Sequence, residues 1–442
     1  MKVGKSFLFT ISLAVLLTNV LAVKYVTQSI VGGSPAEGFR PYGISYDSSS
    51  NFLTLFGNLE DNLLPTFVLS TWSPEKGLGQ INAYEITPPG YEQCSNISVG
   101  FLGNPEYTYY NFIVLECLEG RSKRVAYFVL KIDNGGAMTN SLVFIQERPY
   151  ETTNTPVAFL NDSIVIAVNF NGAKSQIISL SADLNPNFQV TIEKFTTVSI
   201  TGYYNTNEFV VGGSNGDNNP SVVSFSSEGY FQNELILDNK TILANLEAGL
   251  DHVYVCLDGE SNYQTLLLSR EALHVITANV IPLGGGGVST CLANGTTGIF
   301  LQGPTDQGTY PGWILNNDGN QTSSFESKNP DKSSNFQPTG NVLVNSGRYL
   351  LSVGYSQGKG AFAALDLQES GSEFRSASRS FQPLVDLRFK KDNLEITRSS
   401  TLTDDLKVAQ ALFDTIFPIG LGTGEEEQAT AQFLPNLGNV AQ

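Results

Sequence analysis

The chain has 442 residues, with 42 Asp and Glu against 25 Lys and Arg, and a formal charge of −17 at neutral pH. That balance argues against nucleic acid and against anionic bilayer surfaces as partners, because both attract clustered Lys and Arg. A chain of this length with 41% hydrophobic side chains has ample material for one large core or two ordinary domains.

The first residues, MKVGKS, carry Lys2 and Lys5 and lead into the apolar run FLFTISLAVLLTNVLA, with small or aliphatic residues at Val20 and Ala22. This pattern predicts a secretory signal peptide over 1–22. The run is shorter than the roughly 20 residues a spanning helix needs. No later segment is apolar enough to cross a bilayer, and the ending PNLGNVAQ is not a lipid-anchor signal. The expectation is a secreted, extracellular, soluble protein with no membrane insertion. Loss of the two lysines takes the charge from −17 to −19. The acids are scattered, Glu425–Glu427 being the single run of three. Such a surface calls for no cofactor, though it could attract calcium weakly or a basic ligand.

Four cysteines, Cys94, Cys117, Cys256 and Cys291, allow three disulfide pairings, and their order favours Cys94 with Cys117 and Cys256 with Cys291. The absence of any CxxC spacing argues against zinc. Glycosylation sequons stand at Asn96, Asn161, Asn239, Asn294 and Asn320, each in polar surroundings expected to lie beside a strand rather than inside one.

From residue 51 onward one pattern recurs: an apolar strand, a loop of Gly, Asn or Asp, a second strand that often alternates, and a polar turn. It is plainest at 347–371, GRYLLSVGYSQGKGAFAALDLQESG, and at 207–229, NEFVVGGSNGDNNPSVVSFSSEG. The first strands begin at Phe52, Phe112, Ile164, Phe209, Val253, Ile299 and Tyr349, in steps of 60, 52, 45, 44, 46 and 50. Further strand candidates between units, such as SLVFIQERP and FQVTIEKFTTVSITG, bring the count to four strands per unit. Seven such units over roughly 45–385 resemble the β-propeller, in which each four-stranded sheet is a blade stacked on its neighbours around a channel. The expectation is an all-β, seven-bladed propeller over 23–385. The leading strand KYVTQSIV is a candidate to close the ring. No WD ending, regular kelch Gly-Gly pair or sialidase Asp box ties the repeat to a narrower family.

Beyond the ring, 386–442 reads as an extension with strand candidates, a helix over TLTDDLKVAQALFDTIF (401–417) and a flexible acidic tail. Leu402, Leu406, Ala409, Leu412, Phe413 and Ile416 would share one helix face.

His252 and His274 are the two histidines, and neither has metal-helix spacing. GGSNG around Ser214 and GYSQG around Ser356 match a nucleophile elbow literally, but no histidine follows His274, so both read as turns. The four glycines Gly284–Gly287 lack the helix and lysine of a phosphate loop. The loops Asn215–Asn219 and Asn316–Asp318 read as turns rather than calcium sites. Glu116, Glu119, Asp258, Glu260 and Asp306 lie at or just past the first strands of their units, where acids from different blades could converge. No catalytic pair is named from them. The reading is a non-catalytic binding or scaffold protein, with an extracellular protein, glycan or matrix ligand as partner and no nucleic acid. The alternative is a secreted hydrolase or lyase with converging carboxylates at the channel mouth.

Overall fold

The computed structural model describes residues 25–29, 39–59, 65–86, 88, 91–119, 124–146, 155–170, 174–238, 241–259, 262–282, 290–301, 309–328, 337–356, 359–367, 382–391, 393–403, 406–409, 416–419 and 432–433. The predicted signal peptide and the glycine run 284–287 lie outside them. Among the described residues the only helix is the 3-10 turn Pro105–Tyr107, and no helix is long and apolar enough to cross a membrane.

Every repeat in the sequence is the middle hairpin of an antiparallel sheet. Blade 1 is built from Phe39–Asp47, Phe52–Leu59, Pro65–Ser73 and Asn82–Ile86. Blade 2 has Tyr91–Gly100, Tyr110–Glu119, Arg124–Asp133 and Met138–Gln146; blade 3 has Val157–Phe159, Ser163–Phe170, Lys174–Ser181 and Pro186–Ile192. Blade 4 is Phe195–Gly202, Phe209–Asn215, Pro220–Phe225 and Phe231–Ile236; blade 5 is Ile242–Ala248, His252–Asp258, Asn262–Ser269 and Val275–Pro282. Blade 6 comprises Thr290–Asn294, Thr297–Leu301, Thr309–Leu315 and Gln321–Lys328. Blade 7 takes Gln337–Val344, Tyr349–Ser356 and Lys359–Asp366 from late in the chain and its fourth strand, Tyr25–Ser29, from the start. The first strands of successive blades contact one another, and Phe39–Asp47 meets Gln337–Val344, so seven blades close a ring with first strands innermost.

Both faces of each sheet are buried, which explains why the middle strands read as continuous apolar runs. In blade 2, Ile113 and Leu115 pack with Phe67 and Leu69 of blade 1, while Phe112 and Val114 pack with Ile164 and Ile166 of blade 3. Equivalent clusters fill the other interfaces, and each fully buried aliphatic or aromatic side chain contributes about 1.5–3 kcal/mol. The Cys94–Cys117 disulfide joins directly opposed residues of two strands in blade 2, and Cys256–Cys291 staples blade 5 to the innermost strand of blade 6.

Four of the turns between third and fourth strands, those of blades 2, 3, 4 and 6, obey one rule. A side-chain oxygen at the start of the turn accepts a backbone N–H four residues on: Asp133 from Ala137, Ser181 from Asn185, Ser226 from Tyr230 and Asn316 from Asn320. The residue just before that donor takes positive φ, at Gly136, Leu184, Gly229 and Gly319. This is why the polar turn with its Gly or Asn recurs in the sequence.

The expected helix at 401–417 is overturned. Leu406–Ala409 is a strand hydrogen-bonded to the outer edge of blade 2, and Ile416–Ile419 is a strand on the outer edge of blade 1. They belong to a belt. Gln382–Pro383 pairs with blade 5, Phe389 bridges to Leu237 beside blade 4, Ile396–Ser399 pairs with blade 3, and Gln432–Phe433 pairs with Tyr25–Ser29 of blade 7. The chain thus retraces the ring through blades 5, 4, 3, 2, 1 and 7, always antiparallel to the outermost strand. Blade twist explains how: about 20–25° per strand step turns the fourth strand roughly 60–75° from the first, towards the circumference. Unpaired edge amides and carbonyls reward a strand there, and this outweighs the helical spacing of Leu402, Leu406 and Ala409. Leu406 is buried in the core shared by blades 2 and 3. The belt also carries polar ties: Thr403 bonds the buried Gln176 and Gln189, Lys390 pairs with Asp217, and the Arg398 guanidinium lies over the rings of Tyr230 and Phe188.

Candidate functional site at the channel mouth

Innermost strands need polar side chains, because their neighbours splay apart and leave backbone groups to satisfy. Here those side chains link blade to blade. Ser199 Oγ donates to Asn245 Oδ1 at 3.0 Å, and Asn245 Nδ2 donates to the carbonyl of Cys291 at 3.1 Å. Thr201 Oγ1 accepts from Ala248 N, Asn294 Nδ2 donates to Leu343 O at 2.9 Å, and Thr339 Oγ1 donates to Pro41 O at 2.7 Å.

One innermost side chain has no such partner. Glu247, on Ile242–Ala248 of blade 5, makes no hydrogen bond or ion pair with any described residue. It faces blade 6, on the same side of the sheet as its cross-strand partner Tyr254 and as Asn245. Solvent still reaches it, so it is half-buried, yet the surrounding protein desolvates it and pushes its carboxyl up to about 8. No neighbouring charge contributes to that rise.

Glu247 lies at the end of its strand nearest the turns that join first and second strands, and those turns form one rim. Backbone bonds run along it: Gly103 N to Leu160 O, Asn161 N to Thr206 O, Tyr204 N to Gly249 O and Leu250 N to Gly295 O. Gly249 must be glycine, since a Cβ there would stand 2.6 Å from Gly295 O. Beyond Gly295, which has φ +62°, the space is open. Tyr204 and Leu250, 45% and 40% exposed, stand on this rim beside the Glu247 strand. Farther round, Asp162 accepts from Asn104 Nδ2 at 2.5 Å, Asn161 Nδ2 at 2.8 Å and Asn207 Nδ2 at 3.0 Å. Burial works against its ionisation, and the three amides outweigh it and hold the carboxyl below the usual range. That cluster is internally satisfied and ties blades 2, 3 and 4.

Residues singled out from the sequence mostly lie elsewhere. Glu116 is buried on the second strand of blade 2 and accepts from Thr155 Oγ1; Asp258 ends the second strand of blade 5, at the end away from Glu247. Glu260 and Asp306 lie outside the described residues, and the Glu119 side chain is not among those described. Ser214 and Ser356 fall at the same place in the repeat, inside the end of a second strand and paired with the third, rather than in the turn expected from the sequence. Asn215 and Asn316 spend their side-chain oxygens on two backbone N–H groups each, closing their own turns. His252 and His274 flank Ser269 at the mouth end of blade 5, His274 exposed; His252 also stands opposite Gly249 on the face that carries Glu247.

Among the sequons, Asn320 is exposed in a turn, Asn161 is half-buried, and Asn239 lies outside the described residues. Asn96 and Asn294 depart from the expectation of a site beside a strand, since both sit within innermost strands, of blades 2 and 6. Glu247 itself was missed. The only trace in the sequence is one acid between Leu246 and Ala248.

No protein-family model and no curated protein sequence matches the chain. Among solved structures, the WD40 domain of Toxoplasma gondii coronin aligns with a TM-score of 0.50 at 9% identity, over 81% of this chain and 90% of that one. The Dos1 propeller aligns at 0.44 and 10% identity, over 78% and 96%. A chain of a mitotic checkpoint complex aligns at 0.48 and 8%, over 77% and 94%. At such identities the coronin likeness bears on the fold alone, and it agrees with the sheets themselves: the chain is a seven-bladed β-propeller.

Proposed function

We propose that this protein is a secreted, glycosylated propeller that acts outside the cell as a non-catalytic binding or scaffold component, including a component of an extracellular or mineral-associated matrix. Two disulfides, the leader pattern of residues 1–22 and the sequons support the extracellular setting. The observation that carries the binding reading is the mouth near blades 4 to 6. It combines an unpaired, desolvated carboxyl with an exposed aromatic and aliphatic rim and open space beyond Gly295. The rival reading, a hydrolase or lyase, needs a second carboxyl about 5–9.5 Å from the first. Among the described side chains of the innermost strands, the other carboxyl is Asp47, which is engaged by Ser49 and Ser50.

The deciding assay incubates the mature protein with a panel of polysaccharides and esters. No turnover above background is expected. Turnover that disappears in Glu247→Gln would overturn the reading in favour of the hydrolase.

A further inference from the structure

We propose that Glu247 receives the ammonium group of a lysine side chain presented by a protein partner, at the mouth bounded by Tyr204, Leu250 and Gly295. The inference rests on the binding reading above and names its chemistry.

The wall around Glu247 suits a cation. The polar side chains on the adjoining strands, Ser199 and Thr201 of blade 4 and Asn245 of its own strand, have their polar atoms engaged in bonds between blades. No basic residue lies on Ile242–Ala248, on Thr290–Asn294 of blade 6 or on Phe195–Gly202 of blade 4. The titratable groups facing it are few. Tyr254, raised by burial to about 12, is its cross-strand partner; Cys256 and Cys291 are locked in a disulfide; His252 stands two pairs nearer the mouth; Asp258 is at the far end of that strand. An ionised carboxylate here is an acceptor without a donor, and burying a charge is costly unless it is paired. An incoming ammonium supplies the pair.

The rim fits the rest of a lysine. Tyr204 N bonds Gly249 O, two residues beyond Glu247, a distance of about 7 Å along an extended chain. A four-carbon stem can lie on Leu250 and Tyr204 while its head reaches inward, and an aromatic face favours a passing cation. The chain's formal charge of −17 draws basic segments towards it. Arg270, whose Nη1 donates to Leu250 O at 3.2 Å, is paired with Glu208 at 2.7 Å.

Because the free carboxyl is mostly protonated at neutral pH, capture of an ammonium releases a proton. The competent fraction rises from about 1% at pH 6 to about half at pH 8, so affinity for an amine should rise about 50-fold across that interval. His252 stands on the same face of the strand pair, so the rise must persist in His252→Gln.

The experiment is an NMR titration of the labelled protein with two capped peptides, Ac-Leu-Lys-Leu-NH2 and the same peptide with norleucine for lysine, at pH 6 and pH 8. The lysine peptide should shift the Gly249, Leu250 and Gly295 amides and the Glu247 carboxyl. It should bind about 50-fold more tightly at pH 8 and at least tenfold more tightly than the norleucine peptide. Glu247→Gln should erase the preference for lysine. Equal binding of the two peptides to the wild-type protein, or an intact lysine preference in Glu247→Gln, overturns the ammonium inference and leaves the mouth a binding surface. If neither peptide perturbs the rim amides, both the inference and the reading of this mouth fall.

Discussion

Replacing Thr403 by Val keeps the side-chain shape and removes one hydroxyl from the belt. That hydroxyl accepts from Gln189 Nε2 at 2.9 Å and from Gln176 Nε2 at 3.1 Å. The two glutamines are 1% and 0% exposed, so water cannot replace the lost acceptor. A buried donor left unpaired costs about 1–3 kcal/mol. Two of them, with partial re-pairing, give a loss of about 2–4 kcal/mol. An unfolding entropy near 2.1 cal/mol/K per residue over roughly 400 residues converts this to a fall of about 2–5 °C in Tm. Thr403→Ser retains the acceptor and should unfold within about 1 °C of the wild type. Scanning calorimetry on the two variants decides the matter. If Val and Ser unfold at the same temperature, Thr403 is not holding those amides and the belt is not fastened as described.

Other consequences can be checked separately. Removing the Cys256–Cys291 disulfide by a double Ser substitution opens a closed loop with a sequence separation of 35 and should cost about 3–4 kcal/mol, read as a lower denaturant midpoint. Glycopeptide mass spectrometry of secreted protein should find sugar on the exposed Asn320. It should find Asn294 bare, because its amide nitrogen bonds Leu343 O within the innermost ring. Glu247 should also make stability fall as pH rises. A carboxyl whose folded pKa is raised holds its proton longer in the native state, so the penalty grows from the unfolded value near 4.5 up to about 8 and is complete above it. Denaturation midpoints should drop over that interval in the wild type and less in Glu247→Gln.

The ring was legible because its middle strands are buried on both faces and their turns demand particular residues. Phe52, Phe112, Ile164, Phe209, Val253, Ile299 and Tyr349 all fall in the second strands of their blades. The N-terminal strand also closes the ring in the way KYVTQSIV allowed. Innermost strands were harder to read. They mix polar with apolar residues because they serve both the core and the channel, and one of them, Val157–Phe159, has only 3 residues. The belt was misread for a physical reason. Leu402, Leu406, Ala409 and Leu412 carry helical spacing, and only the open edges of blades far away in sequence show that a strand is better there. Glu247 could not be recognised without the ring, since its character comes from blade 6, whose innermost strand begins more than forty residues later.

The state of the Glu247 carboxyl is the property on which the binding role of the channel mouth most directly depends. Carbon-13 titration of the Glu247 side chain in the free protein, assigned by its loss in Glu247→Gln, should give a midpoint near 8. A midpoint near the ordinary glutamate value of about 4.3 would contradict it, placing Glu247 in open water or beside a cation that the account does not contain.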